Sequence, residues 1–269
     1  MARTRLVLDF LTRGRGYRYG PHRSQRADLH LPVGAGPHPV MVVIHGGSWQ
    51  RRYGGLVMRG LVGDLLRRGW AAWNIEYRRI GDGGGFPHTF ADVAAAIDQL
   101  ATLDAPVDLD SVSVLGHSAG GHLALWAAGR ERLPDDAVGA RPAVAFKRAI
   151  AQAGVCDLEG AYRQWHGGAV RALMAGAPEE RPERYAIADP LVRVPLAMPV
   201  LLVHGVRDAT VSIELSRRYA SAARAAGGTL ELVEIEGAPG GHRAHIDPRG
   251  AAWAAVTRWL AQSPGGYAP

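Results

Sequence analysis

The segment VSVLGHSAGGHLALWAAG, residues 112–129, constrains this 269-residue chain more than any other. An apolar run of strand character passes straight into Gly116-His117-Ser118-Ala119-Gly120 and then into helix formers, so the backbone must switch from extended to helical across one serine. A turn that tight strains the serine and presses the residues two before and two after it against neighbouring strands, where Gly116 and Gly120 carry no Cβ to clash. The serine hydroxyl is then lifted above a sheet edge with a helix N-terminus behind it. The Ala119 N–H points to where negative charge would develop on an attacked carbonyl. Such a strand–turn–helix needs other strands to pack against.

The rest of the chain offers them. PVMVVIHG (39–46), WAAWNIEYR (70–78), SVSVLGHS (111–118), RAIAQAGV (148–155), PVLLVHGVRD (199–208) and LELVEIEG (230–237) read as strands, and longer segments of helical period lie between them. That alternation predicts an α/β fold, a mostly parallel sheet covered by helices, and the length suits one domain over residues 1–269. Phe90, Val93, Ile97 and Leu100 mark a helix behind Thr89 as N-cap, with Asp92 three positions later. Ser212 caps another that Gly227-Gly228 would end, and Trp253, Val256, Trp259 and Leu260 mark a closing C-terminal helix. Residues 157–198, interrupted by a glycine pair and by prolines, read as a small lid or cap insertion. The Gly83-Gly84-Gly85 loop and a tail after Ser263 are the loose segments.

A serine hydroxyl is a weak nucleophile at neutral pH, so Ser118 needs an imidazole to take its proton and a carboxylate to orient that imidazole. Asp208, leaving the strand PVLLVHGVRD, is the preferred acid, with Asp157 after RAIAQAGV as competitor. His242 and His245 both follow LELVEIEG, and His242, nearer the strand and behind two glycines, is the preferred base. His204 lies within a strand and reads as a core histidine. Upstream, His45-Gly46-Gly47-Ser48-Trp49 ends a strand in a turn whose N–H groups can face a cavity, so Gly47 and Ser48 join Ala119 as candidate oxyanion donors, with His45 holding the loop. Trp49, Phe86, His122, Tyr162 and Trp165 are candidate substrate-binding residues.

The net charge of +6 could signal a nucleic-acid partner, but the arginines form no stripe interleaved with aromatics, so no such partner is expected. No apolar run is long enough to cross a bilayer, and no membrane partner is expected. Asp9 breaks the apolar stretch of the first twenty residues, which therefore lack the core of a secretory leader, and the lone Cys156 allows no internal disulfide; both fit a cytoplasmic protein. Neither HExxH nor paired cysteines occur, so no metal and no cofactor are expected.

HGGSW, EYR at 76–78, FPHTFADV at 86–93, GHSAGGHLA, VHGVRD and GGHRAHIDP together resemble the hormone-sensitive-lipase-like and feruloyl-esterase-like branch of alpha/beta hydrolases over residues 25–262. The resemblance implies the alpha/beta-hydrolase fold, a triad in the chain order Ser118, Asp208, His242, and an oxyanion hole of Gly47, Ser48 and Ala119. HGGSW departs from the HGGG of hormone-sensitive-lipase relatives and looks more like the HGGxW of kynurenine formamidases and related small esterases. The function so implied is hydrolysis of small to medium soluble carboxylic esters. The rival readings are an arylformamidase acting on N-formylkynurenine and a non-catalytic binding protein on a hydrolase fold.

Overall fold

A computed structural model describes residues 14–236 and 241–262. The stretch around Asp9, the tail after Ser263 and residues 237–240 of the loop before His242 lie outside the described residues.

All six apolar runs form strands: β3 (His38–Ile44), β4 (Ala71–Ile75), β5 (Val107–His117), β6 (Arg148–Gln152), β7 (Val200–Gly205) and β8 (Leu230–Ile235). Neighbours among them pair in parallel. Two further strands, β1 (Arg15–Arg18) and β2 (Arg26–His30), add an antiparallel edge and give the order β1-β2-β4-β3-β5-β6-β7-β8. RGYR of β1 carries no apolar run because it is the sheet's edge, where arginine also discourages pairing with another chain, and RADLH of β2, paired on both sides, alternates so that only Ala27 and Leu29 add apolar side chains to the core.

Each central strand buries both faces, so its residues alternate between two cores. Along β3, Val40, Val42 and Ile44 join one core with Trp73, Phe90 and Leu123, while Met41 and Val43 join the other with Leu61, Leu115 and Trp253. Helices α1 (Arg59–Arg67) and α8 (Ala251–Gln262) cover the second core. They are tied together where Trp253 Nε1 donates to Asp64 Oδ2 at 2.6 Å. Helices α2 (His88–Asp98) and α3 (Ala119–Ala128) cover the first. Residues 157–198 fold into three short helices, α4 (Leu158–Gln164), α5 (Gly168–Met174) and α6 (Pro182–Ala188), with a 3-10 turn at Pro190–Arg193. Helix α7 (Ile213–Ala225) precedes β8 and starts as expected, with the Ser212 hydroxyl accepting from the Glu214 N–H. It ends at Gly227, whose φ of 80° continues the chain into a left-handed turn.

Thr89 is not the N-cap of α2. Pro87 occupies that position, and the Thr89 hydroxyl accepts from the Gly85 N–H at 3.0 Å and donates to the Arg78 carbonyl at 2.7 Å, fastening the glycine loop to the strand end. Asp92 is likewise no capping residue. It accepts from the Arg78 N–H, Nε and Nη2 and from Gln25 Nε2, at 2.7–2.8 Å. No helix among the described residues is long and apolar enough to cross a membrane.

Because Asp92 is buried and satisfies four donors, Asp92→Ala leaves Arg78 without its partner and should lower unfolding free energy by about 3 kcal/mol. Urea denaturation of the purified variant measures this; a loss under about 1 kcal/mol would show that the cluster contributes no more than a surface pair.

Candidate active site

The strand order reverses between β3 and β5, and the C-terminal ends of these neighbours open side by side, with Ile44 opposite Gly116. That crevice is where open α/β sheets carry their sites. Ser118 stands at its rim with φ 57° and ψ −121°, a conformation forbidden to ordinary L residues, directly before α3. The flanking glycines explain how it is accommodated. A Cβ on Gly116 would strike the Gly120 carbonyl, and one on Gly120 would strike the Ile44 carbonyl. The Ser118 N–H is anchored to the Gln152 carbonyl at 2.9 Å, which ties the turn to β6.

The facing loop, Gly46–Trp49, is also bent into positive φ, at 114° for Gly47, 52° for Ser48 and 55° for Trp49. His45 holds it: Nδ1 donates to the Gly46 carbonyl at 2.7 Å, the ring stacks on Tyr77 with centroids 4.5 Å apart, and Nε2 faces Glu76 Oε2 at 3.4 Å. Burial works to raise the Glu76 carboxyl, but His45, Arg79 and the Gly55 N–H hold it at about 2.

Asp208 and His242 meet at the end of β7. His242 Nδ1 lies 2.7 Å from Asp208 Oδ2, while Asp208 Oδ1 accepts the N–H groups of Thr210 and Val211 at 2.8 and 3.0 Å. Burial acts to raise this carboxyl, but the His242 hydrogen bond and those two N–H groups hold it at about 2, below its ordinary 3.8. An ionised carboxylate only accepts, so His242 carries a proton on Nδ1, and Nε2 is the ring nitrogen left for another partner. His204 braces the same loop from beneath. Its Nε2 donates to the Val211 carbonyl at 2.9 Å and its Nδ1 accepts from the Ser216 hydroxyl at 2.7 Å.

Three side chains pin the backbone around His242. His117 Nε2 and His245 Nδ1 both donate to the His242 carbonyl, at 2.9 and 3.1 Å, and Gln152 Nε2 donates to the His245 carbonyl at 2.7 Å. Burial, aided by the neighbouring His242, pushes His117 down to about 3, so it donates as a neutral ring. Neither competing residue stands in for the pair. Asp157 caps α4 through the Gly160 N–H and is paired with Arg218, while His245 is buried beneath His242.

Ser118 lines two cavities, of about 200 and 140 Å³. Gly47, Ser48, His117 and His242 line the larger with it. Ala119, Trp49, Val155 and Trp165 line the smaller, and Ser48 and Thr210 border both. Ser118 and Ser48 thus border both cavities, with Gly47 and His242 on the larger, Ala119 on the smaller, and Asp208 bonded to the imidazole. Of the residues expected to bind substrate, Trp49 and Trp165 line the smaller cavity. Phe86, His122 and Tyr162 line neither. His122 is fully buried with Nε2 on the Ala188 carbonyl, Phe86 packs on Phe90 beneath Arg184, and the Tyr162 hydroxyl accepts from Arg171. Sequence reasoning missed His117, Gln152, Tyr53, Thr210 and Arg243. Only the first had a signal, its position beside Ser118 at the end of a strand.

A family model described as BD-FAE matches residues 27–222. Esterase LipC of Mycobacterium tuberculosis (strain ATCC 25618 / H37Rv) is 27% identical in a 234-residue alignment that covers 80% of this chain; the chain spans 57% of that relative's length. A truncated carbohydrate esterase from gut microbiota superposes with a TM-score of 0.79 at 19% identity, over 92% of this chain and 95% of that one. The propionate-bound thermophilic esterase Est2 of the planctomycete Thermogutta terrifontis superposes with a TM-score of 0.75 at 24% identity, over 96% and 97% of the two chains. These likenesses establish the alpha/beta-hydrolase fold expected from the sequence.

The pH dependence of stability follows from Asp208. Its folded-state pKa is depressed, so its contribution is complete above its ordinary value of 3.8 and is lost as the pH falls towards about 2. Asp208→Asn should be less stable than wild type at neutral pH, with the gap closing below about pH 4, as urea midpoints across the acid range will read. A gap that does not change with pH would contradict the ionised, hydrogen-bonded carboxylate.

Proposed function

The chain belongs to the BD-FAE family, and from that membership and the geometry around Ser118 we propose that it is a carboxylic-ester hydrolase with Ser118 as nucleophile, His242 as general base and Asp208 as the orienting acid. The observation that carries the reading is the 2.7 Å contact from His242 Nδ1 to ionised Asp208, made by an imidazole that lines one cavity with the strained Ser118.

His242 Nε2 takes the Ser118 proton as Oγ attacks the ester carbonyl, and the oxyanion forms against the N–H groups of Gly47, Ser48 and Ala119. The intermediate collapses to an acyl-serine when His242 returns the proton to the leaving alcohol. Water, deprotonated by the same imidazole, then releases the acid.

His242 must reach the leaving oxygen, and it lines only the larger cavity, so the alcohol occupies that side and the acyl group the other. The acyl cavity's 140 Å³ is about that of an engineered cavity able to hold a benzene ring, which favours short acyl groups. Propionate bound to the Thermogutta terrifontis relative supports the same size range. Residues 157–198 supply Trp165 and Ala169 to this wall and serve as a small lid on a single domain. No such observation favours N-formylkynurenine, whose formyl group would leave the acyl side empty.

Against p-nitrophenyl esters, turnover should be highest for acetate to butyrate and fall steeply for longer chains. Ser118→Ala should remove nearly all of it, by roughly a million-fold, and Asp208→Asn about ten-thousand-fold. Equal hydrolysis of long and short esters would refute the acyl-cavity assignment, and an active Ser118→Ala would refute the mechanism. Faster turnover of N-formylkynurenine than of phenyl acetate would replace the ester reading with the formamide one.

A further inference from the structure

Among the described residues, the larger cavity is lined by one permanently charged side chain, Arg243, and by no carboxylate. Arg243 directly follows His242 within the 3-10 turn His242–Ile246, whose backbone is fixed by the bonds from His117, His245 and Gln152. Its Cα therefore stands at a set place relative to the reacting imidazole. Arg79 is paired with Glu76, Arg78 with Asp92, and Arg249, on the same loop as Arg243, with Asp247 at 3.6 Å. Arg243 has no acidic partner among the described residues. Tyr53, which also lines this cavity, carries Arg52 over its ring, 4.9 Å from the centroid, and its hydroxyl accepts from Arg52 at 2.8 Å. Among the described residues, Arg243 thus puts positive charge on the alcohol side of Ser118, while the acyl cavity is lined by no charged residue.

We propose that Arg243 is a specificity-determining residue and that the preferred substrates are short-chain acyl esters of alcohols bearing a carboxylate. The proposal rests on the ester-hydrolase reading and on placing the alcohol beside His242. A guanidinium presents its donors in a planar fork that matches a carboxylate, and an arginine already lacking a partner gives up no ion pair to bind one. An acid group on the acyl side would instead be desolvated in the smaller cavity with no cation to meet it. The net charge of +6 adds attraction for an anionic ester at low ionic strength.

The test compares 4-acetoxybenzoate with its methyl ester, which share acyl group and ring and differ in one charge. The ratio of their kcat/KM values should fall about tenfold in Arg243→Gln, further in Arg243→Glu, and less in Arg243→Lys, on the scale of a charged hydrogen bond partly screened by water. High salt should lower the wild-type ratio and leave that of Arg243→Gln nearly flat. Arg141→Gln, an exposed change far from the site that alters net charge equally, should leave the ratio as in wild type. A ratio unchanged within twofold in both Arg243→Gln and Arg243→Glu, with wild type hydrolysing either ester, would overturn the role of Arg243 and leave the hydrolase reading standing. Wild-type enzyme inert to both esters would overturn both.

Discussion

Holding Ser118 at φ 57° and ψ −121° costs about 1–3 kcal/mol, and much of the surrounding structure is fitted to holding it there. The turn closes because Gly116 and Gly120 let the chain touch itself and the end of β3. It stays closed because the Ser118 N–H is bonded to Gln152 and its carbonyl accepts from His122 and Val155. Relaxing the serine would break contacts to β3, β6 and α3 together, so the strain is spread over the middle of the sheet.

A second feature is the use of buried neutral histidines as braces. His117 and His245 hold the carbonyl of His242, and His204 holds the loop that presents two N–H groups to Asp208. Burial pushes all three below the ordinary imidazole range, to about 3 for His117 and about 4 for His204. Only in the neutral form can such a ring be buried at little cost beside a fourth imidazole that, in the proposed mechanism, gains and loses a proton. Asp208, held ionised, stabilises the one imidazolium that the proposed mechanism requires.

What was legible in the sequence follows from what each feature is made of. The five inner strands β4, β3, β5, β6 and β7 bury apolar residues on both faces and stand out as runs, whereas β1 is a charged edge and β2 buries only Ala27 and Leu29 of its apolar residues, too few to read as a run. The Ser118 turn is local in sequence, and its glycines announce it. The braces are not local: Gln152 and His245 are 93 residues apart, and nothing near either one points to the other. Thr89 has the residue type of a helix cap, yet Pro87 holds the cap position and the Thr89 hydroxyl serves the Gly85 loop. His122, Phe86 and Tyr162 are near the elbow or the lid in sequence, but packing turns them into the interior or towards Arg171.

The central claim is that one hydroxyl, Ser118 Oγ, is made nucleophilic by His242 and Asp208. Incubating the protein with a fluorophosphonate and measuring intact mass, then mapping the adduct by peptide mass spectrometry, tests it without any assumption about substrate. The account predicts one adduct per chain, on Ser118, formed far more slowly in His242→Ala. An unmodified protein, or an adduct on Ser48 or another residue, would contradict it.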